Sequence, residues 1–257
     1  MKIIISPAKK MKEDMDSLEV CSCPVFLEEA DILLRYMRSL SFEEAKKLWR
    51  CNDKIAELNY GRLKTMDLKR RLTPALLAYE GIQYQYMAPV VFEAEGWKYI
   101  QERLRILSGF YGVLKPLDGV VPYRLEMQAR AEVSGKKNLY EFWGRKLFEE
   151  VSKEDDLILN LASQEYSRCI TQYLTKGSRT SGRSGKLHVL TCRFGERRGN
   201  QVMETGTQVK MARGEMVRFL AENQVDRPEE MMRFDGLGYH FCREMSEEDY
   251  YVFLKTK

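Results

Sequence analysis

The chain has 257 residues, 44% hydrophobic and 31% charged, with 17 Gly and 7 Pro, which reads as one ordinary globular protein. Its apolar stretches are short, such as Ile3–Ile5 and Leu157–Leu159, against the roughly 18 residues that a membrane span needs, so no membrane partner is expected. Net charge is +4, but residues 176–218 hold ten Lys/Arg against three acidic residues, a formal +7, and the rest nets −3, a pattern that points to an anionic partner on one face.

Lys2–Ser6 reads as a short buried strand stopped by Pro7. The three isoleucines are too few for a signal peptide, and lysines follow at once, so the expected location is the cytoplasm. Residues 10–24 are polar and turn-rich. Leu27–Ser39 has Ile32, Leu33, Tyr36, Met37 and Leu40 at helical spacing. Ser41 with Glu44 three residues on predicts a capping box and a second helix to Arg50. A third helix is predicted over 53–66, and Thr73-Pro74 is predicted to start a fourth reaching Tyr79. Residues 80–96 are aromatic and irregular. Trp97–Leu107 is predicted as a helix with Ile100, Leu104 and Leu107 on one face, and 139–151 as another.

Asp155–Ala162 is predicted as a buried strand, after which Ser163 caps a helix over 164–174. Residues 176–186 have linker composition. The spacing then predicts a strand over 187–194, a helix over 206–223, a helical turn at Pro228, and strands over 239–243 and 250–254. No repeat or composition break divides the chain. One domain over residues 1–257 is expected: α/β (mixed α+β), a mixed sheet flanked by helices, and a monomer.

Six cysteines contain no CxxC, and His188 and His240 stand alone, so no metal site and no cofactor are expected. Gly177–Ser184 approaches a phosphate-binding loop, but Arg183 replaces its lysine, and the loop follows a helix and precedes a strand, the reverse of what that motif requires. The informative stretch is Trp97–Met127. A helix that ends at Ser108-Gly109, followed by Phe110-Tyr111-Gly112, is similar to a helix–hairpin–helix. In that motif glycines let backbone amides approach a nucleic-acid phosphate. On that reading Gly112→Val blocks the phosphate and leaves the core intact. In a second cluster, Lys210–Arg218, Gly214 lies inside a helix at a cost of up to about 1 kcal/mol relative to Ala, which implies a close approach there by a phosphate or another backbone.

Six blocks occur in one order: ISPAKK (Ile5–Lys10), LSGFYGVLKPLDGVVPYRLEM (Leu107–Met127), LYEFWG (Leu139–Gly144), NLASQEY (Asn160–Tyr166), KMARGEMVRF (Lys210–Phe219) and FDGLGYHF (Phe234–Phe241). Together they resemble the YaaA family of bacterial peroxide-stress proteins along essentially the whole chain. The resemblance implies a single cytosolic domain with a helix–hairpin–helix element and a positively charged cleft that binds DNA. It also implies a part in surviving hydrogen peroxide, linked to lower free iron and less Fenton damage, and no established catalytic reaction. Carried over by position, the phosphate contacts fall on Lys9, Ser108, Gly109, Gly112, Lys115, Arg124, Lys210 and Arg213. Residues 177–186 lie outside the matching blocks.

Two functions of different class remain open. One is a DNA-binding protein, for duplex or branched DNA, that selects structure rather than sequence. The other is an enzyme acting on a nucleotide or another phosphorylated small molecule in the same cleft. The second draws on Glu126, Asn160, Ser163, Glu165 and Tyr166 in the blocks, because carboxylates beside cations suit acid–base chemistry, whereas a DNA surface needs mainly cations.

Overall fold

The computed structural model describes residues 1–153, 155–174 and 187–256. Strand β1 (Lys2–Ile5) fully buries its three isoleucines, because it is covered on both faces and lies between two parallel partners. Such a strand reads as a continuous apolar run rather than an alternation. Two short ladders lie apart from the main sheet: β2 (Lys10–Met11) with β4 (Tyr79–Glu80), and β3 (Thr73–Pro74) with β7 (Gly119–Val120). The partners of β1 are β5 (Leu104–Ser108) and β8 (Leu157–Leu161). The parallel set continues from β8 to β9 (His188–Arg198) and β12 (Tyr250–Lys255). Antiparallel strands finish it: β6 (Gly112–Leu114) beside β5, β10 (Gln201–Met203) on the far end of β9, and β11 (Tyr239–Phe241) beside β12.

The parallel strands therefore lie in the order β5-β1-β8-β9-β12. Numbered along the chain, that is 2-1-3-4-5, the order of an open sheet whose connections reverse direction between the first and third strands. In such sheets the crevice for a ligand opens at that switch point, outside the carboxyl ends of the strands. Here it lies between the ends of β1 and β8.

Helices α1 (Leu27–Ser39), α2 (Phe42–Trp49) and α3 (Asp53–Thr65) match the predicted spans closely. The capping box forms as expected: the Glu44 amide donates to Ser41 Oγ, and the Ser41 amide donates to the Glu44 carboxylate. After α4 (Ala75–Ala78), which Thr73-Pro74 precedes as a strand, comes α5 (Ile82–Met87) in a stretch predicted to be irregular. The predicted helix over 97–107 is corrected. Helix α6 (Ala94–Arg103) ends early, and Leu104–Ser108 is β5, buried at every residue. Ile100, Leu104 and Leu107 satisfy a helical period, yet the LRILS run is apolar enough to fill the position beside β1. The predicted helix over 139–151 divides at Gly144, whose φ of +51° ends α7 (Leu139–Trp143) before α8 (Lys146–Ser152). Helices α9 (Gln164–Thr171) and α10 (Gly206–Glu222) complete the set, and among the described residues no helix is long and apolar enough to cross a membrane.

The helix–hairpin–helix reading is likewise corrected. Ser108 pairs with Gly112, and β5 and β6 form a β-hairpin around Gly109, Phe110 and Tyr111. The Phe110 and Tyr111 amides donate to Ser108 Oγ at 3.1 and 2.8 Å, so they are not orphan donors waiting for an anion. Ser108, Gly109 and Gly112 are all buried, out of reach of a phosphate backbone. The glycines answer to protein instead. A Cβ on Gly109 would lie 2.6 Å from the Leu125 carbonyl, and one on Gly112 would meet Phe26, Leu147 and Trp143. The loop carrying the phosphate-loop-like sequence, with Lys176, Arg179, Arg183 and Lys186, lies outside the described residues.

Candidate functional site

Ile5 and Leu161, the last residues of β1 and β8, stand in register, and the loops that follow them are tied together. The Ser163 amide donates to Ser6 Oγ at 2.8 Å, and the Ser6 hydroxyl donates to Ser163 Oγ at 3.2 Å. From α5, the Tyr84 hydroxyl donates to the Ser6 carbonyl at 2.9 Å. Asn160 clamps the same turn, accepting from the Ala162 amide at 3.0 Å and donating to Thr191 Oγ1 of β9 at 3.2 Å. Ser163 sits at the N-cap of α9, so the helix starts at the switch point with its amides toward the crevice.

Four charged side chains gather over this edge. Lys9, beyond β1, contacts Glu126 at 2.7 Å, and Arg124 Nη2 reaches the other oxygen of Glu126 at 3.4 Å. The Arg124 side chain is only 10% exposed, and its Nε is a buried donor with no partner among the described residues. Glu165, in the first turn of α9, accepts from the Gln128 amide at 3.1 Å, while its carbonyl accepts from the Tyr140 hydroxyl at 2.8 Å. Burial raises the Glu165 carboxyl above the usual carboxylate range, and the negative charge of Glu126 adds to the rise. The Gln128 and Met127 amides and Lys9 oppose it. The Tyr166 hydroxyl is pushed well above its usual value, chiefly by burial and then by Glu165. One carboxyl paired with cations beside another inclined to hold its proton is an acid–base arrangement.

The hairpin supports this segment from behind. Ser108 Oγ and the Tyr123 hydroxyl lie 2.6 Å apart, next to Arg124, and Gly109 permits the close approach to Leu125 and Glu126. Lys115 leaves the edge, because β6 runs antiparallel to β5 and turns at Asp118, whose carboxylate accepts from the Lys115 amide at 2.8 Å. Lys210 and Arg213 lie on α10. Gly214 of that helix lies so close to the Gln83 carbonyl of α5 that a Cβ would collide with it, so the close approach is made by another backbone. Helix α5 thus stands between α10 and the Ser6–Lys9 loop. Arg213 is half-buried near Cys192 and Glu204, burial lowers its pKa, and its Nε is also unpartnered among the described residues.

Lys9, Arg124, Glu126, Ser163, Glu165 and Tyr166 are therefore brought together, with Asn160 fixing the turn beneath them. Ser6, Tyr84, Gln128 and Tyr140 were not among the sequence candidates. Only Ser6 carried a readable signal, as the first residue after β1. Beside Glu165 opens a groove of about 640 Å³ lined by Gln128, Arg130, Lys137, Tyr140 and Arg168. Among the described residues, no three His, Cys, Asp or Glu side chains gather as metal ligands would.

Residues 1–245 match the family described as peroxide stress protein YaaA. This chain belongs to that family. It is 54% identical to a UPF0246 protein of Lachnoclostridium phytofermentans over 255 residues, 99% of this chain and 96% of the relative. It is 53% identical to a UPF0246 protein of Agathobacter rectalis, covering 98% of each chain. A third UPF0246 protein, of Desulfitobacterium hafniense, is 52% identical and covers all of this chain and 98% of its own. The YaaA-family match spans both halves of the switch point, including the ISPAKK and NLASQEY segments that form it.

Proposed function

We propose that this YaaA-family protein protects against peroxide stress by binding DNA along the carboxyl edge of its parallel sheet, reading structure rather than sequence. The supporting observation is the register of the strands. Asn160 of β8 pairs with Thr191 of β9, and β9 continues to Arg198, so it overhangs the edge on which Lys9 also lies. Arg193, Arg197 and Arg198 ride on that overhang, and Lys210 is exposed on α10. Arg193 and Arg197 are paired with Glu204 and Glu244 at the surface, contacts that exchange readily for phosphate because exposed pairs are weak. Phosphate contacts position a protein on DNA without reading bases, which fits structural selectivity. The intracellular site of action, the cytoplasm, and a link to iron-dependent DNA damage belong to the same reading.

A salt-titrated anisotropy assay on duplex, junction and single-stranded DNA tests it. Each neutralised duplex phosphate contributes a slope of about −0.9 in log K against log salt. Lys9→Gln and Lys210→Gln are each expected to weaken all sequences alike and to reduce that slope by about 1. A slope near zero in the unsubstituted protein overturns the reading. A second reading, an enzyme acting on a nucleotide or other phosphorylated small molecule, draws on the Glu126–Glu165 arrangement between Lys9 and Arg124.

A further inference from the structure

We propose that the β1–β8 switch point holds a phosphate monoester, bridged by the Arg124 guanidinium and the Lys9 ammonium at the first turn of α9. This rests on the reading that the sheet edge receives phosphate, and it names the kind of phosphate. The Arg124 side chain is nine-tenths buried, its Nε has no partner among the described residues, and its Nη2 makes only the 3.4 Å contact with Glu126. A buried charged donor left unmade is costly, so the site calls for one more acceptor. Lys9 and Arg124 are already arranged around an oxyanion, since the Glu126 carboxylate spans them. Ser163 Oγ accepts from Ser6 and so keeps its own proton to donate, at the head of an eight-residue helix. Glu165 accepts from the Gln128 amide, and burial raises its carboxyl above the usual carboxylate range, so it repels an incoming oxygen less than a freely solvated carboxylate would.

The depth of Arg124 selects the ester. A diester inside a duplex carries sugars on both sides and keeps two free oxygens at the surface of a wide cylinder. A monoester has a free end and three oxygens, which suits a buried guanidinium, an ammonium and a helix N-terminus converging from different directions. Two sources share this chemistry: the 5′-phosphate of a free nucleotide and the 5′-phosphate at a DNA end.

Calorimetric titration of the full chain distinguishes them. The probes are inorganic phosphate, deoxyadenosine 5′-monophosphate, deoxyadenosine, and one duplex with either 5′-phosphate or 5′-hydroxyl ends. Phosphate and the monophosphate are expected to saturate a single site, and deoxyadenosine to show no binding. Arg124→Gln is expected to weaken the monophosphate at least tenfold. Arg35→Gln, at an exposed α1 residue paired with Asp31, controls for net charge and is expected to change nothing. Lys9→Gln, at a side chain 66% exposed, carries the test if Arg124→Gln fails to fold, with at least a threefold loss expected. Preference for the 5′-phosphorylated duplex assigns the site to DNA ends, and binding of the monophosphate alone assigns it to nucleotides. Wild-type affinity in Arg124→Gln and Lys9→Gln, or the same loss in Arg35→Gln, overturns the proposal. The 5′-hydroxyl duplex reports on the DNA reading separately, so either can fail alone.

Discussion

The Ser163 amide donates to the Ser6 hydroxyl oxygen at 2.8 Å, joining residues 157 positions apart at the point where the sheet reverses direction. That bond sets the spacing of the two loops that carry the candidate site, with Lys9 three residues beyond one end and Glu165 two beyond the other. Ser6→Ala removes the acceptor and leaves the amide of the α9 N-cap unpaired. An unsatisfied, partly buried donor costs roughly 1–3 kcal/mol. For a chain near this length each kcal/mol lowers Tm by roughly 2–4 °C, so calorimetry is expected to find a clear drop. An unchanged Tm would show that water replaces the hydroxyl.

Two glycine-to-alanine changes inside helices are expected to move in opposite directions. At Gly214 the added methyl meets the Gln83 carbonyl, which is backbone and cannot rotate away. Overpacking of this kind costs about 1–3 kcal/mol, and separation of α10 from α5 also disturbs Tyr84 under Ser6. At Gly61, within α3, nothing lies within 4 Å of the added methyl. There the helix preference for alanine is expected to stabilise by about 0.5–1 kcal/mol. Urea midpoints for the two variants measure the contrast directly.

Glu165 gives the stability a specific pH dependence. Its carboxyl is raised in the folded protein, chiefly by burial, so between the unfolded and folded pKa values the folded state holds the extra proton. Its contribution is therefore fully present below the unfolded value of about 4.3 and is lost as pH rises through the folded one. Glu165→Gln keeps the shape and cannot ionise. Its stability relative to the parent protein, followed by urea unfolding, is expected to increase as pH rises above the unfolded value of about 4.3 and to level off once the folded carboxyl has ionised. A difference that stays constant over that range would mean that Glu165 is solvated as an ordinary carboxylate.

Much of this architecture was legible in the chain because single residues carry local signals. Ser41 and Glu44 form a capping box whatever surrounds them, and Ile3–Ile5 cannot be left in water. What was not legible depends on partners distant in sequence. QYQYM has no apolar stripe, and α5 exists because α10 packs on it through Gly214. LRILS fits a helical and an extended period equally well, and its place beside β1 decides between them. In the site, Lys9, Arg124, Glu126, Ser163 and Glu165 stood out by resemblance. The Gln128 amide that holds Glu165 is backbone, which no residue pattern announces, and the pairing of Ser6 with Ser163 follows only from the strand order.

Gly112 is where the two descriptions of residues 108–112 differ most sharply. If these residues were an exposed phosphate-binding loop, Gly112→Val would leave the fold intact and weaken DNA binding. In the β-hairpin, Gly112 has φ of +76°, a conformation that β-branched residues strongly resist. Its added carbon would lie 2.8 Å from the Phe26 ring, 2.9 Å from Leu147 and 2.9 Å from the Trp143 ring. Trp143 cannot yield, since it is buried and its indole N–H donates to the Gly109 carbonyl at 3.1 Å. Backbone strain of about 1–3 kcal/mol and overpacking of a further 1–3 kcal/mol fall on one position, so the expected loss is roughly 2–6 kcal/mol. Against a total stability of about 5–15 kcal/mol, Gly112→Val is expected to unfold well below the parent Tm or to accumulate as insoluble protein. Gly112→Ala, with the same φ but a smaller side chain, is expected to fall between the two. A Gly112→Val protein that melts like the parent would place this loop back at the surface as a turn open to ligand.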